Sequence, residues 1–344
     1  MPVSSLASGL GSSAGFAIES TFGTPVTPPT NFIAATSQSL SLDVEHIMSE
    51  GIRSGRAVQD VNRYVVNKKG ASGSIEFDAE ANGMGLLLRH MIGDERAYGT
   101  TKTTVTTGVY SYSFRPGTLM TSSSMTWQLG IPGRDGVVRT GNLPGSVVSE
   151  WEVSNEIDGL LTSSLTIAGR DWVPSSADRQ APAYATGTEL FSFAGGAVTV
   201  GGTSAEVRSV SIACNHGLDL ERYQIASSTL RSQPVQNARR EITGSVELEF
   251  GAGPGTWATD SLMDKYRAGT VVALVATWTG GTAISGTYYP SISFSLPKCL
   301  ITSATPTVEG PDMVMQTVEF MALEDNANSV EPLTVTYQSS ENLT

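Results

Sequence analysis

The stretch Gly73-Ser74-Ile75-Glu76-Phe77-Asp78-Ala79-Glu80 decides the fold, together with its echo Gly244-Ser245-Val246-Glu247-Leu248-Glu249-Phe250. In both, apolar and acidic residues alternate after a Gly-Ser pair. Successive side chains of a strand point to opposite faces, so this period of two predicts a strand with one face buried and one wet. The wet face is acidic throughout: Glu76, Asp78 and Glu80 in the first copy, Glu247 and Glu249 in the second. Like charges two residues apart repel, so such a row lowers stability. It is kept where its field is useful or where water screens it well.

The composition fits this reading. The chain has 344 residues, enough for two ordinary domains. Its 21 basic and 33 acidic residues give a net charge of −12, which disfavours tight binding to nucleic acid, because phosphate binding needs clustered Lys and Arg. Gly is abundant at 36 and only 16% of residues are charged, a mix that favours β-structure with many turns. Cys214 and Cys299 are too few for a disulfide framework and are expected as buried free thiols. The opening MPVSSLASGLGSSAG has no basic or apolar region of a secretory signal. No stretch approaches the roughly 20 apolar residues of a membrane span. A soluble protein of a reducing cytoplasm is expected.

In chain order, residues 1–35 read as a Gly/Ser/Thr/Pro arm, ordered only by docking on something else. Gly9 to Gly15 superficially suggests a phosphate loop, but it follows no strand and lacks the Lys. A first strand, Ser39 to Glu45, is followed by a long connection, 46–70, with Arg53, Arg56, Arg63, Lys68 and Lys69 against Glu50 and Asp60. Val58, Val61, Tyr64 and Val65 within it could supply apolar anchors. It is either a solvated hairpin or a loop reaching a neighbouring subunit's acidic surface. Gly83 to Gly93 predicts one short helix that covers the apolar face of Ile75 and Phe77. Strands are expected over Val109–Phe114, Met125–Leu129, Val147–Ile157 and Leu160–Ala168, the last two joined at Asp158-Gly159, a strong hairpin signal. Residues 173–187 read as a linker.

The second half repeats the first. Ser39-Leu40-Ser41-Leu42 returns as Ser209-Val210-Ser211-Ile212, Thr126-Trp127 as Thr277-Trp278, and Ile157-Asp158-Gly159 as Val308-Glu309-Gly310. A second long connection, 217–240, carries Arg222, Arg231, Arg239 and Arg240, and Ser261 to Arg267 refills the helix slot. The second copy is shorter, with the deletion where the first has 94–120. The predicted organisation is an arm 1–35, domains 36–172 and 188–327 joined by 173–187, and a tail 328–344. An enzyme is not expected: His46, His90 and His216 are scattered, no nucleophile or metal-ligand motif appears, and no cofactor or metal is implied.

These parts together resemble the tail tube (major tail) proteins of long non-contractile-tailed bacteriophages. The resemblance rests on the Gly/Ser arm ending in Phe16 to Pro25, the strand SLSLDVE, the loop Gly51-Ile52-Arg53-Ser54-Gly55-Arg56, the run NKKGASGSIEFDAEANGMG with its short helix, and the closing hairpin. It covers residues 1–170 directly and the second half through the repeat. It implies a mainly β fold of two tandem tail-tube-type β-sandwich or partial-barrel domains, each with one short flanking helix, assembling into a closed β-barrel ring. Single-domain members form hexameric rings, so two domains per chain imply a trimeric, pseudo-hexameric ring; a six-chain ring follows if only one domain lines the pore. Stacked rings would make a virion tube, produced in the host bacterial cytoplasm, through which phage DNA passes without specific binding. Tape measure, tail terminator and tail tip proteins are the implied partners.

On this reading Glu76, Asp78, Glu80, Glu247 and Glu249, joined by Asp43 and Glu45, face the lumen. The candidates for stacking the rings are the loops 46–70 and 217–240, along with the N-terminal arm and the tail from 328. Two alternatives stay open: the acids face outer solvent, or the chain is a β-sandwich binding or adhesion module, such as a carbohydrate- or receptor-binding baseplate protein. Such a module would need an exposed aromatic platform, whereas Trp127 and Trp278 recur at one strand position.

Overall fold

The computed structural model describes residues 8–96, 98–117, 124–175, 179–225, 228–251, 261–308, 310–311 and 313–343. The fold is mainly β. The first half contains β1 (Ser13–Ile18), β2 (Asn31–Ile33), β3 (Ala35–Gln38), β4 (Ser41–Met48) and β5 (Tyr64–Asp78). Helix α1 (Gly85–Ile92) and the single turn α2 (Tyr98–Thr101) precede β6 (Lys102–Thr106), β7 (Val109–Phe114), β8 (Met125–Pro132), β9 (Val138–Glu156), β10 (Thr162–Gly169) and β11 (Val173–Ser175). The second half contains β12 (Gly196–Val200), β13 (Thr203–Ala205), β14 (Val207–Asn215), the small pair β15 (Leu218–Asp219) and β16 (Val235–Gln236), and β17 (Glu241–Glu249). Then come α3 (Leu262–Ala268), β18 (Val272–Thr279), β19 (Ser291–Ser303), β20 (Met315–Ala322) and β21 (Thr334–Ser339).

One antiparallel sheet crosses both halves. From the edge formed by β3 and β4 it runs through β5, β10, β9, β14, β17 and β20 to β19. The halves meet where β9 pairs with β14, from Ser209 opposite Glu156 to Asn215 opposite Glu150. Closure into a barrel is expected of the ring and not of one chain, and among the described residues the sheet stays open, with β3 and β4 paired on one side only.

Strict alternation puts Ile75, Phe77, Trp151, Val153, Leu165, Ile212, Val246, Leu248, Val318 and Phe320 on one buried face of this sheet. Helix α1 lies against β7 and β9 and buries Leu86, Leu87, Leu88 and Met91, as its Gly-bounded apolar run predicted. Gly93, left-handed at φ 74°, ends it. In the second half Ser261 caps α3 by accepting from the Asp264 N–H at 3.2 Å.

The pairing order β1–β8–β9–β10–β5–β3/β4 is matched by β12–β18–β19–β20–β17–β14, with a helix after β5 and after β17. A register shift recurs at the same place, between Thr166 and Ile167 on β10 against β9 and between Ile301 and Ser303 on β19 against β20. The Gly-Ser echo has a steric cause. A Cβ on Gly73, whose φ is +147°, would collide with the Ser39 carbonyl, and one on Gly244 with the Ser211 carbonyl. Ser211 therefore occupies the place of Ser39, two residues along from the match read in the sequence. Trp127 and Trp278 are both buried, opposite Leu143 and Ile292 and flanked by Phe16 and Gly196.

Three segments differ from expectation. From Ser13 the supposed arm is a core strand, because Ala14, Phe16 and Ala17 bury against β8, with the Phe16 ring 5.1 Å from that of Trp127. Glu19 secures it: this buried carboxylate accepts from the Gly23 and Gly145 N–H groups and the Ser124 and Thr126 hydroxyls at 2.7–2.8 Å. The linker 173–187 begins as β11, paired with β9; its residues 176–178 lie outside the described residues, as do 1–7 of the arm and Glu309 of the second Val-Glu-Gly motif. The tail 328–344 contains β21, which pairs with both β19 and β7 and buries Val335 and Tyr337. Cys214 and Cys299 are free and buried, and burial pushes both thiols up to about 12.

Candidate functional site

The face of the sheet opposite the core is polar, and pairing builds it row by row. One row runs Asp78, Thr162, Ser154, Ser211, Ser245, Glu319; the next runs Glu76, Ser164, Glu152, Ala213, Thr243, Met321. Outside these lie Ser74, Thr166, Glu150, Asn215, Glu241 at one end and Glu156, Ser209, Glu247, Thr317 at the other, with Glu249 beyond. Directly paired residues share a face. Glu76, Asp78, Glu150, Glu152, Glu156, Glu241, Glu247, Glu249 and Glu319 therefore form one carboxylate surface. Residues 72–78, 147–156, 162–169, 209–215, 241–249 and 315–322 contain no Lys or Arg.

The surface tolerates this charge because no two of these carboxylates are direct cross-strand partners. Hydroxyl-bearing β10 stands between β5 and β9, and β14 stands between β9 and β17. Strands lie about 4.8 Å apart, so carboxylates in one row are separated by about 10 Å. Like charges placed directly opposite would destabilise the pair. The intervening side chains also donate to the acids: Ser37 to Glu76 at 2.8 Å, Ser211 to Glu152 at 2.7 Å, Ser209 to Glu247 at 3.5 Å and Asn215 to Glu150 at 2.5 Å. Among the described residues no cluster of three or more His, Cys, Asp or Glu could hold a metal ion.

Of the acids singled out in the sequence, Glu76, Asp78, Glu247 and Glu249 come together on this face. Glu80 lies past the end of β5, half-buried, and burial followed by the nearby Asp78 raises its pKa. Asp43 extends the surface onto β4 and accepts the Ser72 hydroxyl. Glu45 follows on the same face of β4, but beside a cation: Asn67 donates to it at 2.9 Å and the Lys68 ammonium is 3.7 Å away. Glu150, Glu152, Glu156, Glu241 and Glu319 were missed. Glu150-Trp151-Glu152-Val153 carries the same alternation and could have revealed them.

A second feature is the ladder of β4 with the first half of β5, which projects beyond the core with every residue of β4 exposed. Leu42, Val44, Ile47, Met48, Tyr64 and Val65 are exposed along it; at its tip Ile52 is 98% and Val58 83% exposed, with Val61 beside them. Tyr64 and Val65 belong to β5 itself, not to the loop. Arg53 pairs with Asp60 at 2.8 Å, Arg63 donates to the Ser49 hydroxyl, and Arg56 is exposed. Exposed apolar surface on this scale is characteristic of contact regions.

The second basic loop is different. Arg231 is buried and donates to the carbonyls of Ala71 at 3.3 Å and Gly169 at 3.0 Å. Arg240 donates to the Gly117 carbonyl at 3.0 Å, with its pKa lowered by burial. Arg222 donates to the Gln233 carbonyl at 2.7 Å, and of these four arginines only Arg239 is exposed. This corrects the expectation that Arg222, Arg231 and Arg240 are cations available for ring stacking: all three donate to carbonyls of the chain itself. The second loop folds over the base of the β4–β5 ladder: the Lys69 N–H donates to the Thr229 carbonyl at 2.8 Å, and Lys68 pairs with Glu221 at 3.0 Å.

The aromatic platform of a sugar-binding module is missing from these positions, since Trp127, Trp151 and Trp278 are all buried. His216 is buried with its Nε2 2.9 Å from the Met91 carbonyl, inside the fold. No helix among the described residues is long and apolar enough to cross a membrane. A family model described as phage tail tube protein matches residues 9–322. No curated protein matches the chain.

Proposed function

The chain belongs to the phage tail tube protein family, and on that premise we propose that copies of it close into stacked rings whose bore is lined by the carboxylate face. Membership makes it a structural protein of the phage tail. The observation that carries the proposal is the surface of nine carboxylates, spread over paired segments of both halves that contain no Lys or Arg.

The physics is repulsion at short range. Duplex DNA carries one negative charge per about 1.7 Å of axis. A cationic bore would bind it and stop its passage. A carboxylate bore repels it from all sides, and the Debye length of about 8 Å confines that repulsion to the vicinity of the wall. DNA then slides without sticking. The recurring strand order, helix position and register shift support two copies of one tube domain, so three chains would supply six domains in a pseudo-hexameric ring. The exposed β4–β5 ladder and its tip are the proposed contact to the next ring, where buried apolar contacts give affinity and Arg53 and Arg56 at the rim set orientation.

Electron microscopy of the purified protein tests the tube: rings and tubes are expected, and persistent monomers overturn the reading. A variant with Glu76→Lys, Glu152→Lys and Glu247→Lys tests the bore. Its tubes are expected to retain DNA at low salt and release it as salt rises, whereas wild-type tubes retain none. Variant tubes that exclude DNA as the wild type does would place the acids elsewhere.

A further inference from the structure

The carboxylate sheet ends, among the described residues, in two unpaired edges, and the chain carries a template for joining them. Among the described residues β3 and β4 pair only with β5. On β19, β18 covers one side as far as Val272 opposite Cys299, and from Leu300 onward that side has no strand partner among the described residues. The corresponding side of β9, beyond the part paired with β8, is the side that β14 occupies.

Spatial equivalents follow from shared partners. Ser209 faces Glu247 as Ser37 faces Glu76, and Ala213 faces Thr243 as Ser41 faces Ser72. Ser211, Ala213 and Asn215 thus correspond to Ser39, Ser41 and Asp43. Thr162 faces Asp78 as Met315 faces Glu249. Ser154 faces Thr162 while Thr307 bridges Met315, and Glu150 faces Thr166 while Ser303 faces Glu319. Ser154, Glu152 and Glu150 thus correspond to Thr307, Thr305 and Ser303.

We propose that the β3/β4 edge of one chain seats on the free edge of β19 and of the segment 304–307 that continues it in a second copy, in the register in which β14 seats on β9. This rests on the ring reading above and adds the residues of its seam. Ser39 then opposes Thr307, Ser41 opposes Thr305 and Asp43 opposes Ser303, all on the carboxylate face. The chemistry matches: in the internal seam Asn215 donates to Glu150, and in the external one the Ser303 hydroxyl donates to Asp43, with the roles of the two edges exchanged. On the core side Leu42 takes the position of Cys214. Cys214 is 3% exposed in its seam and Leu42 is 46% exposed in the free chain, the difference expected of a residue awaiting its cover. Pro306 offers no N–H, which limits uncontrolled pairing at this edge.

The test is a full-length Ser41→Cys and Thr305→Cys chain, oxidised and run without reductant alongside electron microscopy. The Thr307 N–H donates to the Met315 carbonyl, away from the seam, so 305 and 307 fall at non-hydrogen-bonded seam positions, where paired side chains come closest. Covalent oligomers up to the ring's chain number are expected, and none from either single variant. A Ser154→Cys and Ser211→Cys chain should link within itself. Rings or tubes in which 41 and 305 do not link overturn the register and leave the tube reading standing; a protein that neither assembles nor links overturns both. Should the double variant fail to fold, hydrogen exchange of the wild type decides: amides of 39–43 and 300–307 should slow by about tenfold or more on assembly. No slowing in assembled protein overturns the seam.

Discussion

Trp278 donates its indole N–H to the side-chain oxygen of Asn155 at 3.0 Å, across the junction between the two halves of the chain. Both residues are buried, and Asn155 in turn donates to the Gly159 carbonyl at 3.2 Å. Trp278→Phe keeps an aromatic ring near Phe294 but leaves the Asn155 oxygen unpaired. The expected loss is about 1–3 kcal/mol in denaturant unfolding, with an unchanged denaturant slope, because the surface exposed on unfolding stays nearly the same.

Gly244→Ala should destabilise the chain by about 1–3 kcal/mol, because the new methyl group meets the Ser211 carbonyl and the Phe320 ring. Gly73→Ala should cost more. It meets the Ser39 and Leu40 backbone and also holds a non-glycine residue at φ +147°. Thermal unfolding of the two variants gives the order, and equal melting temperatures would contradict it.

His216 gives a pH dependence of defined sign. Burial, followed by the positive charge of Arg240, pushes its pKa down to about 3. The unfolded chain takes up this proton near the ordinary value of about 6.5 while the folded chain does not. Its contribution to stability is therefore complete above pH 6.5 and is lost as pH falls toward 3, by at most about 1.4 kcal/mol per unit. His216→Gln should flatten the pH dependence of the melting temperature in that window relative to the wild type.

Replacing residues 50–63 by an Asn-Gly turn removes the apolar tip and keeps the β4–β5 ladder. Soluble rings that do not polymerise are expected under electron microscopy, with a melting temperature close to that of the wild type, because the excised side chains contribute nothing to the core. Normal tubes would remove this segment from the stacking contact.

The acid-and-apolar alternation of β5 and β17 was legible because period two is a local signal, and the hairpin at Asp158-Gly159 was legible for the same reason. The pairing of β9 with β14 was not, since it joins residues far apart in sequence and depends on the whole sheet. The alternation of Glu150 and Glu152 is visible in the sequence, but only that pairing puts them on the same face as Glu247. Arg231 and Arg240 looked like surface cations because composition cannot reveal carbonyls brought to them by distant strands. The Gly/Ser-rich opening hid β1, whose buried run Ala14 to Ala17 is too short to stand out against its surroundings. The alternation Thr334-Val335-Thr336-Tyr337 was available and identifies β21 as more than a tail.

The hydroxyl-bearing strands between the acids bear on the ions that travel with a nucleic acid. Carboxylates clustered side by side would sequester magnesium and turn parts of the wall electropositive. With about 10 Å between the acids of one row, the proposed wall would leave divalent ions hydrated and exchanging in a thin mobile layer. The bore we propose would then keep its sign in a magnesium-rich medium, and its cargo would pass over a fluid cushion of counterions instead of a mosaic of fixed bridges.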